Sequence, residues 1–238
     1  MAGTVLITGA ARRIGRALAL GLARRGWDIA LHYHRSRQEA ESAAEQVRQA
    51  GRMCELFPAD LSDPQAVRTL IPRVFEKCPH CRVLINNASI FERAPLVETT
   101  EDLFDRHFAV NFRAPLFLSK DFAARCGEGG QIVNLLDAKI ERTFTPYFAY
   151  ALSKKALAAF TELAARELAP RVRVNGVCPG LILPPEGEGP EYLARLAKKI
   201  PAGRAGAVDD VVQAVLFLLE NEFVTGQILF ADGGEHLG

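Results

Sequence analysis

The fold is decided at Val5-Leu6-Ile7-Thr8-Gly9-Ala10-Ala11-Arg12-Arg13-Ile14-Gly15. A short apolar run reads as a strand, and glycines turn the chain. A helical pattern then runs from about Arg13 to Arg25, with Leu18, Leu22 and the alanines on one face and Gly26 as stop. The same alternation continues along all 238 residues. Strand-like runs lie at Asp28 to His34, Met53 to Phe57, Arg82 to Asn86, Gln131 to Leu135, Val172 to Val177 and Gln227 to Phe230. Helical stretches fall between them. Gln38 to Ala50 closes on Gly51. A helix opens at Asp63-Pro64, with Asp63 as N-cap and Pro64 in the first turn. Longer ones cover about Glu101 to Cys126, bent near Pro115, and Tyr147 to Ala169, ended by Pro170; Val208 to Glu220 is the last. The strands are near-continuous apolar runs, as a parallel sheet buried on both faces requires, so the chain reads as one α/β domain with helices on both faces. Gly180 to Pro190, rich in glycine and proline, reads as a loop over a site.

Composition narrows the function. Lys plus Arg is 29 and Asp plus Glu is 28, leaving a net charge of +1 without the basic excess that nucleic-acid binding by counterion release needs. No apolar run approaches the ~20 residues of a membrane span. The start carries no basic leader and no glycine after Met1, so neither a signal peptide nor myristoylation is expected. Five cysteines at irregular spacing fit reduced thiols in the cytoplasm. Cys78-Pro79-His80-Cys81 follows a helix rather than opening one, which suits incidental thiols better than a redox pair; without a second Cys/His pair, no metal site is read there. His32, His107 and His236 read as structural.

Three segments carry chemistry. The glycine turn, placed between first strand and first helix, lets backbone approach a pyrophosphate and aims free N–H groups at it. Arg13 stands where a middle glycine is usual, so the pattern departs from G-x-G-x-x-G. About 20 residues on, an NAD site carries a carboxylate for the ribose 2′-hydroxyl. Here stand His34, Arg35, Ser36 and Arg37, and Arg12 and Arg13 lie near the same edge. Guanidinium groups fork onto a 2′-phosphate, so NADPH is the expected cofactor. Third, Tyr150 and Lys154 are four apart and share a helix face. A nearby ammonium favours the phenolate and makes tyrosine a usable acid or base.

Taken together and in this order, these segments resemble the short-chain dehydrogenase/reductase family along essentially the whole chain. Asp60-Leu61, Asn86-Asn87-Ala88, Asn111, Pro179-Gly180 and Asp232-Gly233-Gly234 add to the resemblance. It implies a Rossmann-like, doubly wound sheet of seven parallel strands in the order 3-2-1-4-5-6-7. Thr8, Gly9, Ile14 and Gly15 would belong to the cofactor turn. Asp60 would lie near the adenine, Asn86 to Ala88 would line the cofactor, Lys154 would hold the nicotinamide ribose, Asn111 would organise a water relay, and Tyr150 would give the proton. The resemblance also implies a homotetramer, with the two long helices between subunits and Asp232–Gly238 near an interface.

Four departures resemble the pteridine reductase subgroup. The family's serine, 13 residues before the tyrosine, is Asp137 here; Arg13 replaces a glycine; the second strand ends His-Tyr-His-Arg-Ser; and Ser89-Ile90-Phe91 follows Ala88. In that subgroup the Asp works with the Tyr, the Arg reaches both cofactor and pterin, and the Phe stacks the pterin. The chemistry fits the exchange. A ketone needs a donor to its oxygen, which serine supplies. A pterin is reduced at C=N, and its amino-oxo edge offers N–H donors that a carboxylate accepts. The expected activity is reduction of a dihydropterin or dihydrofolate, with Arg13, Ser89, Phe91, Asp137, Tyr150 and Leu181 on the substrate and a loop at about 180–200 closing over it. A carbonyl reductase, a non-enzymatic NADPH-binding regulator and a thiol exchanger through Cys78 and Cys81 are the alternatives.

Overall fold

In the computed structural model, which describes residues 3–143, 145–185 and 187–238, Val5 and Ile7 face one core and Leu6 the other. They belong to β1 (Thr4–Ile7), every residue of which is buried. This is why the run has no polar alternation. Beside it lie β2 (Asp28–Tyr33) and β3 (Cys54–Pro58) on one side. On the other lie β4 (Cys81–Asn86), β5 (Gly130–Leu135), β6 (Val172–Pro179) and β7 (Ile228–Ala231). The sheet order is 3-2-1-4-5-6-7, and every neighbouring pair is parallel. The sheet carries helices on both faces, as expected.

One face packs on α1 (Arg13–Arg24), α2 (Arg37–Gln49) and α8 (Val208–Glu220), through Leu18, Leu22, Ala43, Val211 and Val215. The other packs on α3 (Pro64–Lys77), α5 (Ala114–Ala123) and α6 (Phe148–Leu168), through Leu70, Ile71, Leu118, Phe122 and Ala165. Asp63 caps α3 by accepting the Gln65 N–H at 2.8 Å, with Pro64 in the first turn.

Two stretches differ from expectation. The span from Glu101 is helical as expected, but its hydrogen bonding changes just before Pro115. It is α4 (Glu101–Phe108), a π-helical turn over Ala109–Arg113, and then α5, which continues the helical backbone with Pro115 as its second residue. The span 180–200 is not all loop, since Pro190–Ala197 forms α7 with Pro190 at its start. Among the described residues no helix is long and apolar enough to cross a membrane.

The carboxyl ends of β1 and β4 lie side by side, while the chain leaves them toward opposite edges of the sheet. A crevice opens at such a switch point in an open α/β sheet, and the candidate site lies there.

Candidate active site

The glycine turn is braced from three sides. The Gly9 N–H donates to Nδ1 of His32 at 3.0 Å, so the Nε2–H of that ring faces the Ala59 carbonyl at 3.1 Å. Burial pulls His32 down to a pKa of about 4, and the ring is neutral. Reading it as structural holds, and the turn is what it supports. The Thr8 hydroxyl accepts the N–H groups of Asn87 and Ala88 at 2.9 and 3.0 Å, and the Asn87 amide donates to the Thr8 and Gly9 carbonyls. Thr8 was expected on the cofactor. Its hydroxyl instead ties β1 to β4, because its side chain points into the sheet and is buried.

Glycine is needed at two places for different reasons. Gly9 has φ 63°, in the left-handed region. At Gly15 a Cβ would stand 2.2 Å from the Gly9 carbonyl oxygen and 2.6 Å from the Asn87 amide. Just before it, α1 begins with its amides uncapped by any side chain among the described residues. Free N–H groups at a helix start form an anion site.

The cleft over this turn holds about 480 Å³. Gly9, Arg12, Arg13, Ile14 and Gly15 form its floor, and Asn87 and Ala88 form one wall. The opposite wall is His34, Arg35, Ser36, Asp60 and Leu61. Asp60 brings a carboxylate to this wall, 3.5 Å from His34. Burial pushes its carboxyl up, but the hydroxyl and N–H of Ser62 outweigh that and hold it below the usual range. Asn86 was expected on this wall and is not there. It is buried beneath it, donating to Asn134 at 2.8 Å and Ser119 at 3.1 Å.

A second cleft of about 240 Å³ continues from the first, with Arg13, Ile14, Asn87 and Ser89 lining both. Asp137, Tyr150 and Lys154 stand at its centre, Phe91 on one side, and Pro179, Gly180 and Leu181 on the other. The Tyr150 hydroxyl donates to Oδ2 of Asp137 at 2.6 Å. Burial first, and then the Asp137 carboxylate, push the phenol well above its ordinary pKa, opposite to the lowering expected from Lys154, so the proton stays on oxygen. Lys154 is buried and donates to the Leu135 carbonyl at 2.8 Å; burial draws its ammonium down to about 8. Arg13 donates to the Pro184 carbonyl at 2.9 Å and so links the glycine turn to the loop after β6.

Asn111, expected to organise a water relay, spends its amide elsewhere. Its oxygen accepts the Ile90 N–H at 2.9 Å and the Ser89 hydroxyl at 3.2 Å. Its nitrogen donates to the Ile90 carbonyl at 3.0 Å and to Ser153 at 3.1 Å. The π-helical turn aims it there, and it fixes the segment that carries Phe91. Two aromatic residues escaped sequence reasoning. Tyr147 stacks on Phe91 with centroids 4.1 Å apart, and Tyr192 of α7 faces the cleft. Phe91 also meets Tyr150 edge-on at 4.6 Å and keeps 46% of its surface exposed.

Cys78 and Cys81 lie outside the clefts. Burial raises their thiols to about 11 and about 12, so neither is a thiolate nucleophile at neutral pH. Among the described residues no cluster could hold a metal ion.

A parallel sheet with a glycine turn at its switch point and a buried Tyr–Lys pair beyond it defines a Rossmann-like oxidoreductase. The chain belongs to the short-chain dehydrogenase/reductase family: a family model described as enoyl-(acyl carrier protein) reductase matches residues 9–236. An uncharacterized oxidoreductase of Methylorubrum extorquens is 33% identical over 96% of each chain. The D-erythrulose reductase of Gallus gallus is 32% identical over 96% of this chain and 94% of its own. Among solved structures, FolM alternative dihydrofolate reductase 1 of Brucella canis, complexed with NADP, superposes with a TM-score of 0.93. It is 36% identical, over 99% of this chain and 95% of its own.

Proposed function

We propose that this protein is an NADPH-dependent reductase of pterins that takes a dihydropterin or dihydrofolate to the tetrahydro form. The observation that carries the reading is the 2.6 Å bond from Tyr150 to Asp137, at the position where the family's carbonyl reductases keep a serine. The clefts suit the cofactor. Gly15 lets α1 pack directly on the turn, where a Cβ would strike the Gly9 carbonyl, and the amides at the start of α1 and the cations Arg12, Arg13 and Arg35 face the space where phosphates would lie. His34 and Ser36 complete a wall suited to a 2′-phosphate, Pro179 and Gly180 would flank the nicotinamide, and Lys154 would hold its ribose. When bound, NADPH supplies the hydride.

The chain's own residues do the rest. Phe91 and Arg13 hold the flat ring, Phe91 through the aromatic surface it leaves exposed in the second cleft. Asp137 accepts N–H groups from the amino-oxo edge. Tyr150 keeps its proton in the resting site and gives it to the substrate nitrogen as carbon receives hydride, so C=N becomes CH–NH. Asp137 holds the phenol in place for that transfer. The 36% identity to an alternative dihydrofolate reductase supports this assignment.

A carbonyl reductase is the second reading, favoured by the 32% identity to D-erythrulose reductase. One experiment separates them: NADPH oxidation, followed by absorbance, with dihydrobiopterin, dihydrofolate and a panel of ketones, and with NADH in parallel. Pterin turnover with NADPH is expected. Ketone reduction without pterin turnover replaces the first reading with the second.

The cytoplasm and a homotetramer complete the proposal. Phe104 of α4, Phe117 of α5 and Leu163 of α6 leave apolar surface exposed that packing between subunits would cover. Light scattering of the purified protein, giving the mass of four chains or of one, tests the assembly.

A further inference from the structure

Asp137 is enclosed by groups from several elements. It is 17% exposed, and its Oδ2 faces a phenol that stays neutral. From β6 it meets Cys178, a thiol that burial and then Asp137 itself push far up, so this group too is neutral. From α6 it meets Lys154, whose ammonium is turned to the Leu135 carbonyl and is lost above a pH of about 8. A second carboxylate, Glu235, approaches from the C-terminal turn (Glu235–Leu237). Between the two acids stands Lys139. Its Nζ is 3.9 Å from Oδ1 of Asp137 and 3.4 Å from Oε1 of Glu235, and its backbone N–H donates to the same Oδ1 at 2.8 Å.

We propose that Lys139, anchored by Glu235, is a positioning residue that fixes the Asp137 carboxylate beside Tyr150. The proposal rests on reading Asp137 and Tyr150 as the reacting pair.

Three features support it. Lys139 lines the second cleft, so its charge acts where the substrate edge would sit. The anchor is itself tied down. Asp232 accepts the N–H of Gly234 at 3.0 Å and of His236 at 2.8 Å, and meets the His236 ring at 2.7 Å, which holds Glu235 between them. Glu235 is 14% exposed, and its Oε2 is buried with no hydrogen-bond partner among the described residues. The ammonium is thus what offsets a carboxylate otherwise costly to bury.

The test compares wild type with Lys139→Met and Lys139→Arg. In substrate-free protein, the infrared band of a protonated carboxyl that Asp137→Asn abolishes is followed against pH. The pH profile of kcat/KM is then taken with whichever substrate the wild type reduces. With Met at 139, the band and the acid-side loss of activity both move to higher pH, the direction that removal of a neighbouring cation dictates. Arg restores both, and the Kd for NADPH is unchanged in every variant. Should the Met variant fail to fold, Lys139→Gln takes its place. Midpoints equal to wild type, or failure of Arg to restore them, overturn the proposal. A wild type that reduces ketones only, yet shows the infrared shift, sinks the pterin reading and leaves the role of Lys139 standing.

Discussion

The two clefts share a wall but are made from different material. The cofactor side is built at strand ends: β1, β2, β3 and β4 deliver Gly9, His34, Asp60 and Asn87, and the buried His32 ring and the Asn87 amide fix the main chain of the turn. The substrate side joins the ends of β5 and β6 to a loop, α7 and the C-terminal turn, and side chains hold these together. A site made of strand ends has one geometry and tolerates little. A site made of loops can be retuned residue by residue. The difference is open to measurement.

The largest effect is expected on the rigid side. Gly15→Val forces a branched side chain into a space where even a Cβ meets backbone oxygen at 2.2 Å. We expect NADPH affinity, read by fluorescence titration, to fall roughly a hundredfold or more, with a lower Tm. A variant that binds NADPH normally would mean the turn is as pliable as the loop.

Next comes the Asp137 carboxylate. Asp137→Ser should cut pterin turnover about a hundredfold while leaving the Kd for NADPH within about twofold, because the change lies in one cleft only. Loss of both together would show that the clefts do not act separately.

The third prediction concerns the brace behind the turn. His32 titrates at about 4 in the fold against 6.5 in the open chain, so the unfolded state binds more protons between those values. Its stabilisation is therefore complete above about pH 6.5 and drains away as pH falls toward 4. Between about pH 7.5 and about pH 5 the loss is roughly 2 kcal/mol. Urea denaturation of wild type against His32→Gln reads it. Equal pH slopes in the two proteins would place the proton elsewhere.

The smallest effect belongs to the adaptable side. Phe91→Leu keeps the bulk but loses the stacking face. The KM for pterin should rise about fivefold, the worth of one aromatic pair, with kcat little changed.

The sequence was legible where the physics is local. The run Val5–Ile7, the glycines after it and Asp63-Pro64 each satisfy a short-range rule, and the structure places them as read. The basic end of β2 was equally plain, because Arg35 and Ser36 lie next to one another in the chain. The π-helical turn at Ala109–Arg113 left no trace in composition, since it only shifts hydrogen-bond partners by one residue. Pro190 to Ala197 was obscured by the glycines and prolines before it, although Tyr192, Leu193 and Leu196 share the spacing of a helix face. Thr8 and Asn86 read as cofactor contacts because sequence marks the strand end but not which way a side chain leaves it. Lys139 and Glu235 could not be paired in advance, for they lie far apart in the chain and meet only once β5, β6 and β7 are aligned.

Arg13 sits in the left-handed region with φ 52°, among the described residues the one non-glycine to do so. That conformation costs an L-residue about 1–2 kcal/mol, and glycine would adopt it freely. Arg13→Gly is thus a change that thermal screening would reward, while it cuts the link to Pro184 and removes a cation from both clefts. The arginine is thus held at a conformational cost in a place from which its side chain reaches both clefts and the loop beyond them.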